Sequence, residues 1–399
     1  MMGLDEARSA LAARVDALEA CDLRPVDAAG LRLADTVAAE VDLPPADVSA
    51  MDGYAVRASD TGRGVLPVAF EIPAGHVPPP LPPGSAARIF TGAGLPAGAD
   101  TVVMQEDATL LGAREVSLPR TPPGRNVRRR GGVFASGRRL AGAGDLLTPQ
   151  RLGLLVAAGV RRVRAVPRPR LAILGTGAEL AAEDEAPAPG KIHDSNGPML
   201  AALAEEARLP LAGRGRAGDE LGDLVEALRR LGEADLVVST GGVSVGNHDL
   251  VPRAVAELGG EVVLHRVRVQ PGKPILVARL GKSWVVGLPG NPVSALVGWW
   301  MFVRPLAEAL AGDGEAFRDN ALLARLDAPF RHTGDRTFLR PSLLSEEEGG
   351  TNVQVLPWQG SHDLSAAGPA NALARFEPGQ DLGAGATVPC YPLGWGGRA

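Results

Sequence analysis

Apolar residues at Leu4, Ala7, Leu11, Val15 and Leu18 recur on one helical face, so the chain is predicted to open with an amphipathic helix. The run "LRLADTVAAEVDLPP" then reads as a short extended segment ending in a proline stop. From Val41 to Gly137 no long helical period survives. Short β-like runs such as "AARIFTG" and "DTVVMQE" alternate with Gly- and Pro-rich stretches, which predicts a small β-rich domain. Thr148 and Pro149 form an N-cap and first-turn signal, Leu152, Leu155 and Val156 share a face, and Gly159 is placed to end the helix. That helix is expected to return near the first segment, which makes the first structural unit discontinuous.

The pattern changes at Arg170. "LAILGTG", "LAGRGR", "ADLVVSTGG" and "SWVVGLPGNP" read as strands. "NGPMLAALAEEA", "DELGDLVEALRRL", "HDLVPRAVAELG" and the run from Pro292 through Trp300 read as helices. Strand and helix in alternation predict a parallel-type sheet covered on both faces, with ligands beyond the carboxyl ends of the strands. From about Asn320, short apolar runs separated by "RHTGDR", "SEEEGG" and "EPGQDLGAG" predict a small C-terminal all-β domain. The fold class is therefore a multidomain α/β protein. It comprises a discontinuous linking domain (1–40 and 138–168), a β-rich inserted domain (41–137), a three-layer α/β domain (169–316) and a C-terminal β domain (317–399).

Composition narrows the function. The formal net charge of -5 argues against a dedicated nucleic-acid binder, whose footprint is strongly basic. No apolar run reaches membrane-spanning length and the N-terminus lacks the pattern of a signal peptide, so a cytoplasmic protein without a membrane partner is expected. Cys21 and Cys390 form neither a CxxC pair nor a zinc spacing, which fits a reducing compartment. Basic residues are almost all arginine, which singles out Lys191, Lys273 and Lys282.

Each glycine-rich turn of the α/β region falls at a strand end. In "STGGVSVGNHD", Gly241, Gly242 and Gly246 let the backbone approach a ligand, Ser244 offers a hydroxyl, and the amides of a following helix suit an anion. Asp249 beside that anion suits a metal or ligand hydroxyl and NH groups; the same string also suits a tight strand-to-helix turn with Asp249 near an N-cap. In "DVSAMDGYAV", Asp52 is either a turn residue before Gly53 or a loop carboxylate held by Met51 and Tyr54. Lys273 lies between the prolines of "PGKP", where a fixed ammonium suits a phosphate or oxyanion. The cluster Arg125, Arg128, Arg129 and Arg130 is a solvated face or an anion attractor. In "KIHDSN", His193 and Asp194 precede a helix whose cap is expected at Ser195 or Asn196.

Taken in order, "DVSAMDGYAV", "RIFTGAGLPAGADTVVMQE", "NVRRRG", "GTGAEL", "KIHDSNGPML", "STGGVSVGNHD", "VQPGKP" and "GLPGNPVSA" resemble the motif series of the molybdopterin molybdenumtransferases. This is the MoeA family, which includes the C-terminal domain of gephyrin. The likeness continues weakly into "GSHDLSAAGPANALARF". It implies a homodimer that joins molybdate to the dithiolene of adenylylated molybdopterin and releases AMP, with Mg²⁺ as the divalent cation. It also implies an upstream molybdopterin adenylyltransferase as a partner. By motif position, Asp52, Thr91, Glu179, Asp219, Asp249 and Lys273 match the catalytic set, with Asp52, Glu179 and Asp249 as metal ligands. Gly241, Gly242, Ser244, Gly246, Pro289, Gly290, Asn291 and Arg128 match the substrate-binding set.

Two positions depart from the family pattern. Gly132 and Val133 stand where Glu-Asp is usual, and Ala178 stands where "TGDEL" carries an aspartate. These departures keep open a second reading, a catalytically weakened paralogue that binds the ligand or serves as a protein scaffold.

Overall fold

The computed structural model describes residues 1–181, 186, 188–243 and 250–394. They form two compact units, a larger one of Met1–Ala20 with Val166–Ala399 and a smaller one of Cys21–Ala165.

In the larger unit, a six-stranded sheet runs in the order Leu211–Ala217, Leu171–Thr176, Leu236–Thr240, Ser283–Leu288, Leu276–Leu280, Glu261–His265. The first four strands are parallel, as the alternating pattern predicts, and the last two pair antiparallel. Successive side chains of the central strands point to opposite faces. Ile173, Val238 and Val286 pack under helices Leu4–Ala12, Asn196–Glu206 and Arg304–Leu310, whereas Leu174, Val237 and Val285 pack under Leu221–Leu231 and Leu250–Glu257. Both faces being covered explains why these strands read as continuous apolar runs. Truncating one such buried leucine to alanine costs about 2–5 kcal/mol.

The opening helix, Leu4–Ala12, stops earlier than its apolar period suggests; Val15 and Leu18 still pack on the same core. It belongs to the larger unit and not, as the sequence pattern suggests, with residues 138–168. The reason is local: Leu4, Ala7 and Leu11 are buried in the α/β core, the buried Arg8 donates to the Met301 carbonyl at 2.9 Å, and Asp5 pairs with Arg375 at 2.6 Å.

The C-terminal region is a small barrel. Thr337–Glu347 pairs with both Gly350–Val355 and Ala372–Phe376, and Leu322–Leu326 and Thr387–Pro392 complete the circuit, so the ladder closes on itself. Val269–Gln270, from the α/β region, pairs in parallel with Thr337 and Phe338 and ties the "VQPGKP" loop to the barrel.

The smaller unit contains the β-rich region, a six-stranded sheet ordered Thr101–Met104, Gly53–Val56, Ala86–Ile89, Val65–Ile72, Glu115–Ser117, Thr109–Gly112. It also contains a linking part in which Leu33, Phe134, Leu147 and Leu155 share one core. Helix Pro149–Ala157 is capped by the Thr148 hydroxyl, which accepts from the Arg151 amide at 3.3 Å, and Gly159 follows it in the left-handed region.

Candidate functional site

A cavity of about 880 Å³ lies at the carboxyl ends of Leu171–Thr176, Leu236–Thr240 and Ser283–Leu288, where an open α/β sheet places its ligands. Its floor is made by three glycine-bearing turns, contributing Glu179, then Gly241 and Gly242, then Pro289, Gly290 and Asn291. Gly241 has φ +85°, and a Cβ there would lie 2.5 Å from the Thr176 carbonyl oxygen. No other residue fits so close an approach of two turns. The Gly242 carbonyl accepts from the amides of Leu250 and Val251, which fixes the start of the next helix. Ser244, Gly246 and Asp249 lie outside the described residues.

Lys273 reaches the cavity from the "PGKP" loop; its side chain is exposed and makes no hydrogen bond or ion pair among the described residues. Glu179 is likewise exposed at the rim. Asp219 does not line the cavity; its carboxylate accepts from the Ala178 amide at 3.0 Å and so holds the turn that carries Glu179. Lys191 holds the same turn by donating to the Ala178 carbonyl. The backbone at 178 makes both contacts, which an alanine preserves. In "KIHDSN" the N-cap of helix Asn196–Glu206 is Ser195, as expected, but its side chain makes no capping hydrogen bond. The Asp194 carboxylate accepts from the Asn196 and Gly197 amides at 3.1 and 2.9 Å. Asn196 is instead buried and donates to the Gly290 carbonyl at 2.7 Å, joining two of the turns. Asn291 donates its side-chain amide to the Ser361 hydroxyl at 2.8 Å.

That last contact reveals a wall not singled out from the sequence. Arg336, Trp358, Gly360, Ser361 and His362 of the C-terminal barrel line the cavity opposite the glycine turns. The Arg336 guanidinium also donates to the Val269 carbonyl at 3.4 Å. The available signal was "GSHDL", which contains Ser361 and His362.

The smaller unit carries a separate constellation. Antiparallel pairing of Gly53 with Ile89 brings Asp52 beside Thr91. One oxygen of its carboxylate accepts from the Thr91 amide at 2.7 Å and from the Thr91 hydroxyl at 2.8 Å. The Thr91 amide first, then its hydroxyl, hold the Asp52 carboxyl below the usual carboxylate range. Gly53 is required here, because a Cβ would lie 2.0 Å from the Val103 carbonyl oxygen. In the arginine cluster, Arg129 pairs with Asp47 at 2.6 Å and Arg130 with Asp42 at 2.5 Å. Arg128 is exposed and has no ion pair among the described residues. Val133 is 58% exposed.

The sequence matches three family models in order: the MoeA N-terminal region (domains I and II) over residues 2–159, a probable molybdopterin binding domain over 172–309, and the MoeA C-terminal region (domain IV) over 324–393. Molybdopterin molybdenumtransferase 2 of Mycobacterium tuberculosis is 38% identical over 363 residues, covering 87% of this chain and 88% of that protein. The molybdopterin molybdenumtransferase of Haemophilus influenzae is 33% identical over 400 residues, covering 98% and 99%. The crystal structure of a molybdopterin biosynthesis moeA protein from Pyrococcus horikosii superposes with a TM-score of 0.82 at 28% identity, covering 99% of this chain and 100% of that one. Matches of this extent, over all three regions of the chain, establish that it belongs to the molybdopterin molybdenumtransferase family.

Proposed function

We propose that this chain inserts molybdate into adenylylated molybdopterin and releases AMP. The observation that supports this most directly is the cavity itself, where glycine-bearing turns at the carboxyl ends of three parallel strands share one lining with Lys273, whose ammonium makes no hydrogen bond or ion pair among the described residues. A pyrophosphate-linked ligand matches that arrangement: glycine turns let the backbone approach its phosphate oxygens, and one lysine ammonium suits charge that develops as the anhydride opens. Gly241, Gly242, Pro289 and Gly290 would contact the ligand directly, together with Ser244 and Gly246. Asn291 would act by holding Ser361, and Asp219 by holding the Glu179 turn. Asp52, Thr91 and Arg128 of the smaller unit and Asp249 complete the proposed set.

A divalent cation, taken as Mg²⁺, would neutralise phosphate charge when bound. Asp52, Glu179 and Asp249 are the proposed ligands. Among the described residues, which do not include Asp249, no group of three His, Cys, Asp or Glu side chains could hold a metal ion. The active form is proposed to be a cytoplasmic homodimer that receives its substrate from an upstream molybdopterin adenylyltransferase. Among the described residues, no helix is long and apolar enough to cross a membrane.

The exposed apolar side chain of Val133, at a position usually acidic, favours one competing reading: a paralogue that binds the adenylylated pterin or scaffolds other proteins without turnover. One experiment separates the two. The purified protein is given adenylylated molybdopterin, molybdate and Mg²⁺, and AMP release and cofactor formation are followed. Tight binding without AMP release would select the scaffold.

A further inference from the structure

We propose that Arg340 is a positioning residue for the cavity: by clamping Leu356 and backing the indole of Trp358, it sets the wall that presents Trp358, Ser361 and His362. The proposal rests on reading the cavity as the site for adenylylated molybdopterin.

Arg340 itself does not line the cavity; it sits one layer behind, on strand Thr337–Glu347. Its guanidinium lies 5.0 Å from the ring centre of Trp358, 5.2 Å from Phe338 and 5.4 Å from Phe330. It donates to the Leu356 carbonyl at 2.6 Å, while the Leu356 amide donates to the Pro341 carbonyl at 3.1 Å. The peptide where the chain leaves strand Gly350–Val355 is thus held on both sides by Arg340 and Pro341. The far end of the wall is held by Asn291 and by the Val293 amide, which donates to the Ser361 carbonyl at 3.0 Å. Between these anchors the Trp358 ring NH is buried without a hydrogen-bond partner among the described residues, so no hydrogen bond from them orients the indole. Its orientation comes from the Arg340 cation and from Phe338, whose ring centre is 5.1 Å away.

The choice of arginine is the informative part. Arg375 also serves the barrel, and it faces Asp5, Asp319 and Glu377. Arg340 makes no ion pair among the described residues. Its Nε is buried and has no hydrogen-bond partner among the described residues, and burial pushes its guanidinium pKa down to about 10. A buried cation without a counterion is poor filler, because apolar residues of similar volume often stabilise such a place equally well. What a methionine there would lack is the clamp on Leu356 and the face-on contact with Trp358.

The test uses the full chain labelled with 5-fluorotryptophan, with the Trp358 ¹⁹F resonance assigned through Trp358→Phe. Arg340→Met is expected to fold with a melting temperature close to wild type and to shift or broaden the Trp358 resonance alone. KM for adenylylated molybdopterin should rise about tenfold at nearly constant kcat, the scale of one lost cation–π contact and one lost hydrogen bond. Arg340→Lys, which keeps the cation and can reach Leu356, should recover part of both effects. A folded Arg340→Met with wild-type KM overturns the proposal. So does a variant in which the resonances of Trp284 and Trp299 move with that of Trp358 while the melting temperature falls, since that is a purely structural role. If the wild type releases no AMP, the functional reading fails instead, and the Trp358 resonance then decides the role of Arg340: unmoved, it overturns the proposal.

Discussion

Neutralising Lys273 isolates the charge that the cavity offers its ligand. Its ammonium has no partner among the described residues, so Lys273→Met removes charge while breaking no internal contact. Surface substitutions of this kind usually change stability by less than about 0.5 kcal/mol. The affinity term is different. Two unit charges 4 Å apart interact by about 1 kcal/mol in water and about 4 kcal/mol at an effective dielectric constant of 20. A cavity open to solvent on one side falls between these limits, and a charge-assisted hydrogen bond contributes about 1.5–3 kcal/mol by mutation. The expected loss is therefore about 10- to 150-fold in affinity. Calorimetric titration with molybdate, and KM from AMP release, measure it directly. Because the lysine is exposed, the wild-type advantage should also shrink as ionic strength rises, with screening lengths near 8 Å at about 0.15 M salt. A folded Lys273→Met variant with unchanged affinity at low salt would refute the assignment and leave Lys273 a solvated loop residue.

Four further outcomes are expected. Thr91→Val removes the hydroxyl contact but keeps the amide contact to Asp52, so the Asp52 pKa should rise part of the way to its ordinary value; carboxyl ¹³C titration reads this. Because the folded pKa is depressed, the stabilisation Asp52 provides is present above its unfolded pKa and is lost as pH falls through the folded one; in Thr91→Val that loss, and the acid limb of activity if Asp52 acts ionised, should begin at higher pH. Asp219→Ala leaves the Ala178 amide without its partner and should lower stability by only about 0.5–1.5 kcal/mol, while AMP release falls much further because the Glu179 turn is freed; equal small losses in both would return Asp219 to a purely structural place. Val133→Asp, at an exposed position, should fold normally and raise the rate or lower the Mg²⁺ needed, whereas Ala178→Asp should help less, since it sets a second carboxylate beside Asp219. An unchanged Mg²⁺ dependence in Val133→Asp would remove the main support for the scaffold reading.

The elements that the sequence made legible are those whose burial repeats over several residues. Leu171–Thr176, Leu236–Thr240 and Ser283–Leu288 are buried at every position and carry glycine at their ends, so strand, turn and ligand edge could be read together. The antiparallel hairpin Leu276–Leu280 and Ser283–Leu288 was harder, because its turn residues, Gly281 and Lys282, sit between two apolar runs that also suit successive parallel strands. The opening helix was assigned to the wrong neighbour for a related reason. Periodicity identifies an apolar face but not what covers it, and Leu4, Ala7 and Leu11 would suit either core. What decides the matter is the Arg8 guanidinium on the Met301 and Phe317 carbonyls, 293 and 309 residues away in the chain.

The barrel wall of the cavity was the least legible part, and the cause is the pairing that creates it. Arg336, Trp358 and Ser361 share no period and no local motif strong enough to mark them. They meet the glycine turns because Val269–Gln270 joins the barrel as a strand beside Thr337 and Phe338, which sets Lys273 and Arg336 on the same cavity from two loops. The register of that two-residue pairing fixes the spacing of the two cations. A change that breaks it, such as a proline at Thr337, whose amide donates to the Arg268 carbonyl at 3.2 Å, should separate them without touching either side chain. Affinity for molybdate would then fall as far as in Lys273→Met or Arg336→Met, while the parallel sheet beneath kept its stability. If instead the proline variant bound molybdate normally, the two cations would be acting independently, and the barrel would serve the cavity as a lid on its ligand and not as a second source of charge.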